Sequence, residues 1–190
     1  MTGERAAPSL TLVSLRTVIY IVWGVFWAYW LVSAIGVKKR AGSRRLGPRI
    51  PIIVLAVLLT RVFSEHTLAI HSPALKAVGV VLFVAGLGLA VWARIYLGRN
   101  WGTPMTQKAE PELVTSGPYH FVRHPIYSGI LLGFAGTGLA TNSYWWIIFA
   151  VCLIYFIYSA RVEEGIMASA FPSTYPSYRA RTKMLVPFVL

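Results

Sequence analysis

Three short polar segments at the ends of apolar runs each carry side chains able to hold a charged ligand. The first runs Ala93-Arg94-Ile95-Tyr96-Leu97-Gly98-Arg99-Asn100-Trp101-Gly102, where two arginines flank an aromatic-rich helix end. An arginine there also complements the helix macrodipole, which is the plain alternative to a ligand role. The second contains Gly117-Pro118-Tyr119-His120-Phe121-Val122-Arg123-His124-Pro125-Ile126-Tyr127. Proline suits the first turn of a helix, so a helix is expected to start at Pro125, with unpaired N–H groups offering an anion site beside Arg123 and His124. The third is Arg161-Val162-Glu163-Glu164. Two carboxylates at a helix C-terminus oppose its dipole, so either the helix runs on past Gly165 or a cation holds them; a solvated helix surface needs neither. Downstream, Tyr175, Tyr178, Arg179 and Arg181 form a basic aromatic tail closing with Pro187-Phe188, able to fold back as a lid.

Several chemistries fit these residues poorly. His120 and His124 are four apart, but a proline follows at once and no further ligands accompany them, so no metal site is expected. All six acidic residues are glutamates, which disfavours enzymes built on aspartate-rich metal motifs. The single cysteine, Cys152, lies in the apolar run Ile147 to Ile157, where a thiolate would be badly solvated and a small core residue is the simpler reading. What the segments do suit is a ligand with an ammonium for a carboxylate, a carboxylate for N–H donors or arginines, and flat or sulfonium groups for aromatic faces. S-adenosylmethionine is one such ligand, and the residues alone leave it one candidate among several.

The elements that must position these segments are membrane helices. A 190-residue chain that is 56% hydrophobic is too apolar for a water-soluble domain of that size. The formal charge of +12 does not indicate nucleic acid, because the basic residues lie between long apolar runs and not on a polar domain. Apolar stretches at about Val18 to Val37, Ile50 to Phe63, Leu75 to Ile95, Ile126 to Ala140 and Tyr144 to Ala160 give an all-α integral membrane fold of about five transmembrane helices. The last two form a helical hairpin across Thr141-Asn142-Ser143, and the whole reads as one domain, 1–190, with N-terminal helices over 18–73 and a core over 74–190. Gly129 and Gly133, continued by Gly136 and Gly138, read as a close helix-packing surface. The mixed polar start, Met1 to Leu10, does not read as a cleavable signal. Thirteen of the eighteen Lys and Arg fall in the loop Gly36 to Arg49, the segment Leu97 to His124 and the tail from Arg161. The positive-inside rule then places the N-terminus outside and the three polar segments in the cytoplasm, with the basic loop a topology signal and anchor for membrane lipids.

The runs LGRNWG, LVTSGPYHFVRHPIYSG and RVEEGIM, with the tail YPSYRARTKMLVPF, resemble the isoprenylcysteine carboxyl methyltransferases and, more distantly, the phospholipid N-methyltransferases, from about Gly86 onward. The resemblance implies an S-adenosylmethionine-dependent membrane methyltransferase acting on a lipophilic or prenylated acceptor that enters from the bilayer. It implies cofactor contacts at Tyr119, His124 and Tyr127, ammonium partners at Glu163 and Glu164, and a polar clamp at Arg179 or Arg181. Gly86 and Gly88 match the Gly-x-Gly of the phospholipid enzymes, although glycines in membrane helices usually serve packing. Arg123 or Arg179 would bind an anionic acceptor, and Glu164 would take a proton from an amine. His120, and Phe171-Pro172 in place of Phe-Gly, depart from the family pattern and bear on acceptor choice. Two other readings stay open: an NADPH-dependent membrane reductase related to sterol reductases, which shares the Arg-His-Pro-x-Tyr region, and a nonenzymatic membrane scaffold.

Overall fold

The computed structural model describes residues 14–33, 72–98, 112–141 and 144–187. Among these residues the chain is helical: α1 (Leu15–Ser33), α2 (Pro73–Leu97), a 3-10 turn (Gly117–His120), α3 (Pro125–Ala140), α4 (Trp145–Ala170) and the short α5 (Tyr175–Arg181). Side-chain chemistry marks where they begin. The Ser72 hydroxyl accepts from Leu75 N at 3.4 Å with Pro73 behind it, and Ser14 accepts from Thr17 N at 3.2 Å ahead of α1. The α1, α2 and α4 helices are each long and apolar enough to cross a membrane. The expected span Ile50 to Phe63 and the turn residues Asn142 and Ser143 lie outside the described residues.

Among the described helices α3 is the central one. Apolar all round, it is buried on several faces at once, as expected of a helix enclosed by others. Its glycines face three neighbours. A Cβ on Gly86 of α2 would stand 2.5 Å from Gly133 N and 2.6 Å from Gly129 O, and one on Gly129 would stand 2.5 Å from Gly86 O. The backbones of α2 and α3 therefore touch, which only the absence of side chains permits. Gly133 also makes room for Leu87 and the Trp23 indole, and Gly138 for the Trp146 indole of α4. Trp23 fixes α1 to this pair: its Nε1 donates to Thr137 Oγ1 at 3.1 Å, and its ring stacks on Phe134 with centroids 4.9 Å apart. Thr137 in turn donates to Gly133 O at 2.8 Å, so the buried polar atoms of this contact have partners.

The expected helix boundaries shift in one place that matters. The α4 helix continues ten residues past Ala160, through Glu163, Glu164 and Gly165, to Ala170. The helix therefore runs on beyond the carboxylates, and a cation holds one of them too, so both arrangements that their position allowed are present. On the α2 side, Arg94 is buried at the helix end and donates from Nη1 to Gly98 O at 2.8 Å and from Nη2 to Ser33 O, tying the ends of α2 and α1 together.

Candidate active site

The start of α3 is built as expected: Pro125 occupies the first turn and His124 the cap position, without a side-chain capping bond. Ahead of it, Gly117 opens the 3-10 turn at φ 58°, a conformation that favours glycine, with the Tyr96 ring packed against it where a Cβ would sit. The C-terminal segment then returns across this start. Arg123 N donates to Lys183 O at 2.8 Å, His124 N to Met184 O at 3.0 Å, and Ser128 Oγ to Leu185 O at 2.5 Å. A parallel bridge pairs Val122 with Lys183, and the buried Tyr178 hydroxyl on α5 donates to Tyr119 O at 2.7 Å. The tail thus folds back as a strap over the head of α3.

Under this strap the ionisable side chains converge. Arg123 Nε donates to Glu164 Oε1 at 2.7 Å, with both side chains nearly sequestered from solvent. Its Nη1 donates to Arg179 O at 3.2 Å and to Thr182 O, so a single guanidinium joins α4, α5 and the strap. The Tyr127 hydroxyl donates to Glu163 Oε1 at 2.6 Å. His124 faces both carboxylates, Nδ1 lying 3.5 Å from Glu163 Oε2 and Nε2 lying 3.5 Å from Glu164 Oε1. These are ion-pair separations, longer than hydrogen bonds, and Nε2 is buried without a hydrogen-bond partner. Burial alone would lower the His124 pKa, but Glu163 and Glu164 outweigh it and raise it above the ordinary imidazole value. Arg179, largely exposed, holds its Nε 3.5 Å from Glu164 Oε2 at the rim.

Three flat rings floor the cluster. His124 stacks on Tyr127 with centroids 5.5 Å apart, and Tyr127 on Phe156 at 4.5 Å, both pairs within a few degrees of parallel. The surrounding phenols are neutral donors and not bases at physiological pH: burial pushes Tyr119 and Tyr175 well up and Tyr178 up to about 12.

Of the residues singled out by sequence, Arg123, His124, Tyr127, Glu163, Glu164 and Arg179 meet in this cluster. Tyr119 is buried beside it beneath Tyr178. Arg181 instead lies exposed, its Nε donating to Ser177 O at 3.2 Å within its own turn. Gly86 meets the α3 backbone and Gly88 has nothing within 4 Å, so what the structure gives the Gly-x-Gly is a place in helix packing. Three participants escaped the sequence reading. Phe156 sits seven residues, or about two turns, before Glu163 on α4, a spacing that places it on the same helix face. The carbonyls of Thr182 and Leu185 carry no side-chain signal at all.

The sequence profile of the family described as phospholipid methyltransferase matches residues 75–174, more than half of the chain. This chain belongs to that family. Among curated proteins it is similar to the cobalt-zinc-cadmium resistance protein CzcN of Cupriavidus metallidurans, 37% identical over 125 residues, covering 61% of this chain and 50% of that one. A methanethiol S-methyltransferase of a Pseudomonas species is 26% identical over 146 residues, covering 72% of this chain and 55% of its own. Protein-S-isoprenylcysteine O-methyltransferase B of Arabidopsis thaliana is 33% identical over 116 residues, 58% of each chain. The matches thus span about half to three-fifths of those relatives' lengths.

Proposed function

We propose that this chain is a membrane methyltransferase that uses S-adenosylmethionine to methylate a lipophilic acceptor. The observation that carries the reading is the pair Glu163 and Glu164 gathered with His124 and Tyr127 at the first turn of α3, under a strap from the C-terminal segment. The donor set fits the cofactor: carboxylate for its ammonium, aromatic rings beside it for its sulfonium or adenine, and Arg179 at the rim for its carboxylate. When bound, S-adenosylmethionine supplies an electrophilic methyl group whose carbon bonds to the acceptor as the sulfonium leaves as a thioether.

The chain's own part is alignment and exclusion of water. Holding two reactants in line can account for much of the barrier lowering in such a transfer. Arg123 is engaged by Glu164 and two backbone carbonyls, which makes it an organiser of the site, and Arg179 at the rim is the better placed cation for an anionic acceptor. Glu164, held by that guanidinium, is a weak base. This favours an acceptor that is already ionised, such as a carboxylate, over one that must lose a proton in the site. One of the similar enzymes is named for O-methyl transfer to isoprenylcysteine, whose acceptor oxygen is of this class. The acceptor enters laterally from the bilayer and the cofactor from the cytoplasm, with the N-terminus outside, as the distribution of Lys and Arg supports.

Calorimetric titration of the detergent-purified protein tests this reading. Saturable binding of S-adenosylhomocysteine, lost in the Glu163→Gln/Glu164→Gln variant, is the expected result. Binding of NADPH alone would move the chain to the reductases, and binding of neither would make it a scaffold.

A further inference from the structure

Hydroxyls inside apolar helices commonly turn back on their own backbone, because a carbonyl one turn earlier is the nearest acceptor. Among the described helices Ser33, Ser128, Thr137, Ser169 and Ser177 do so, each donating to a carbonyl three or four residues back at 2.8 to 3.1 Å. Ser159 of α4 does not. It is 0% exposed, and its Oγ has no hydrogen-bond partner among the described residues, so the Tyr155 carbonyl one turn earlier goes unused by it. A buried hydroxyl without a partner costs stability, which makes the exception one to explain.

Ser159 follows Phe156 by three residues and precedes Glu163 by four, so the three share one face of α4. The outer two both meet Tyr127: the Phe156 ring stacks on its ring with centroids 4.5 Å apart, and Glu163 Oε1 accepts from its hydroxyl at 2.6 Å. Ser159 therefore lies on the α4 face turned to Tyr127, about 6 Å along the helix from Glu163 on its apolar side. Helices α3 and α4 meet here through side chains, which can move aside, whereas α2 and α3 meet backbone to backbone at Gly86 and Gly129.

We propose that Ser159 is the hydrogen-bond donor for the acceptor, its hydroxyl binding the carboxylate oxygen that does not take the methyl group as the acceptor enters between α3 and α4. This rests on the methyltransferase reading and names a contact for its acceptor. One carboxylate oxygen bonds to the methyl carbon as that carbon leaves the sulfonium sulfur, giving a neutral ester and a thioether; no proton moves, and Ser159 keeps its own. A hydroxyl suits the step because its bond is strong to the anion that arrives and weaker to the ester that must leave.

Wild type, Ser159→Ala and Ser159→Cys are compared in three measurements: the melting midpoint without ligand, the calorimetric affinity for S-adenosylhomocysteine, and methyl transfer to N-acetyl-S-farnesylcysteine, a prenylcysteine carboxylate. In S159A the midpoint stays at or above wild type, because a hydroxyl without a partner adds nothing to folding, and S-adenosylhomocysteine binds as before. Its kcat/KM for the carboxylate falls by about ten- to a hundredfold, the range for a hydrogen bond to a charged group. S159C, close in size but with a weak S–H donor, falls with it. Unchanged kcat/KM in S159A overturns the proposal, and wild-type activity in S159C does so by making the residue a matter of packing. A lower midpoint or a weaker S-adenosylhomocysteine affinity in S159A also overturns it, assigning the hydroxyl to the fold, to a trapped water or to the cofactor. A wild type that binds S-adenosylhomocysteine yet leaves the carboxylate unmethylated overturns this proposal alone, while one that does not bind it removes the methyltransferase reading itself.

Discussion

Replacing Arg123 by glutamine should destabilise the protein more than any other single change in the site. The guanidinium makes the 2.7 Å bond to Glu164 and the bonds to two backbone carbonyls, and neither side chain of the ion pair is more than 9% exposed. Removing one member of a buried pair typically costs ~3–5 kcal/mol, because the remaining charge stays buried without compensation. The nearest other cationic groups, His124 Nε2 and Arg179 Nε, stand 3.5 Å from Glu164 and offset only part of this. At about 2–4 °C per kcal/mol for a chain of this size, the melting midpoint falls by about 6–20 °C. Lysine restores the charge but lacks the rigid fork that spans a carboxylate and two carbonyls, so R123K should fall between. The double variant R123Q/E164Q removes the stranded charge and should recover part of the loss, a coupling that a double-variant cycle isolates. Thermal unfolding in detergent, followed by tryptophan fluorescence, reads wild type, R123Q, R123K, E164Q and R123Q/E164Q. An R123Q midpoint within about 2 °C of wild type, or a fully additive double variant, would refute the assignment of Arg123 as the joint between α4, α5 and the strap.

Two further outcomes follow from other contacts. His124 faces Glu163 and Glu164 from α4, with Arg123 beside it, Tyr127 stacked on it and Arg179 across Glu164, so its proton competes with a ligand ammonium for the same carboxylates. Because the carboxylates raise its pKa despite burial, its charged form adds stability at acid pH that is lost as pH rises through the folded-state value. S-adenosylhomocysteine should accordingly bind more weakly with acidification, by up to about tenfold per pH unit below that value, with proton release visible as a buffer-dependent binding enthalpy. Affinity that rises on acidification would mean that His124 meets the ligand's carboxylate instead. In the helix crossing, a methyl group on Gly86 would strike backbone atoms that cannot yield, so Gly86→Ala should cost about 1–3 kcal/mol, while Gly88→Ala, facing open space, should be neutral or mildly stabilising. The difference between their melting midpoints measures it.

What could be read from the chain beforehand was local. Pro125 announced the start of α3, since a residue without an N–H loses nothing in a first helical turn. The apolar runs gave the positions of α1, α2, α3 and α4 because hydrophobicity is summed over a whole segment and tolerates errors at its ends. The end of α4 was not readable. Glu163, Glu164 and Gly165 look like a helix terminus until Arg123, some forty residues earlier, arrives to hold Glu164. The residue types of the cluster were legible from the same three segments, but not their partners: Arg123 looked like a ligand-binding cation and proves to be held by the chain. The glycines were ambiguous for a different reason, because a stripe of missing side chains records close approach without saying what approaches. Gly129 and Gly136 turned out to face α2, and Gly138 a tryptophan of α4. The backbone pairing of Arg123 and His124 with the strap could not be read at all, since main-chain groups are common to every residue.

The shortness of α3 sets the conditions under which such a site meets its substrate. Its 16 residues rise about 24 Å, against about 30 Å of hydrocarbon in a typical bilayer. Untilted and in an unthinned bilayer, such a helix would leave about 6 Å of hydrocarbon unspanned, so at least one of its ends would lie below the headgroups. On the proposed reading, an acceptor dissolved in the bilayer would approach such a helix end by diffusing in two dimensions, without being lifted into water. Its effective concentration is its mole fraction among the lipids, so adding inert lipid or detergent dilutes the substrate even when the bulk molarity is unchanged.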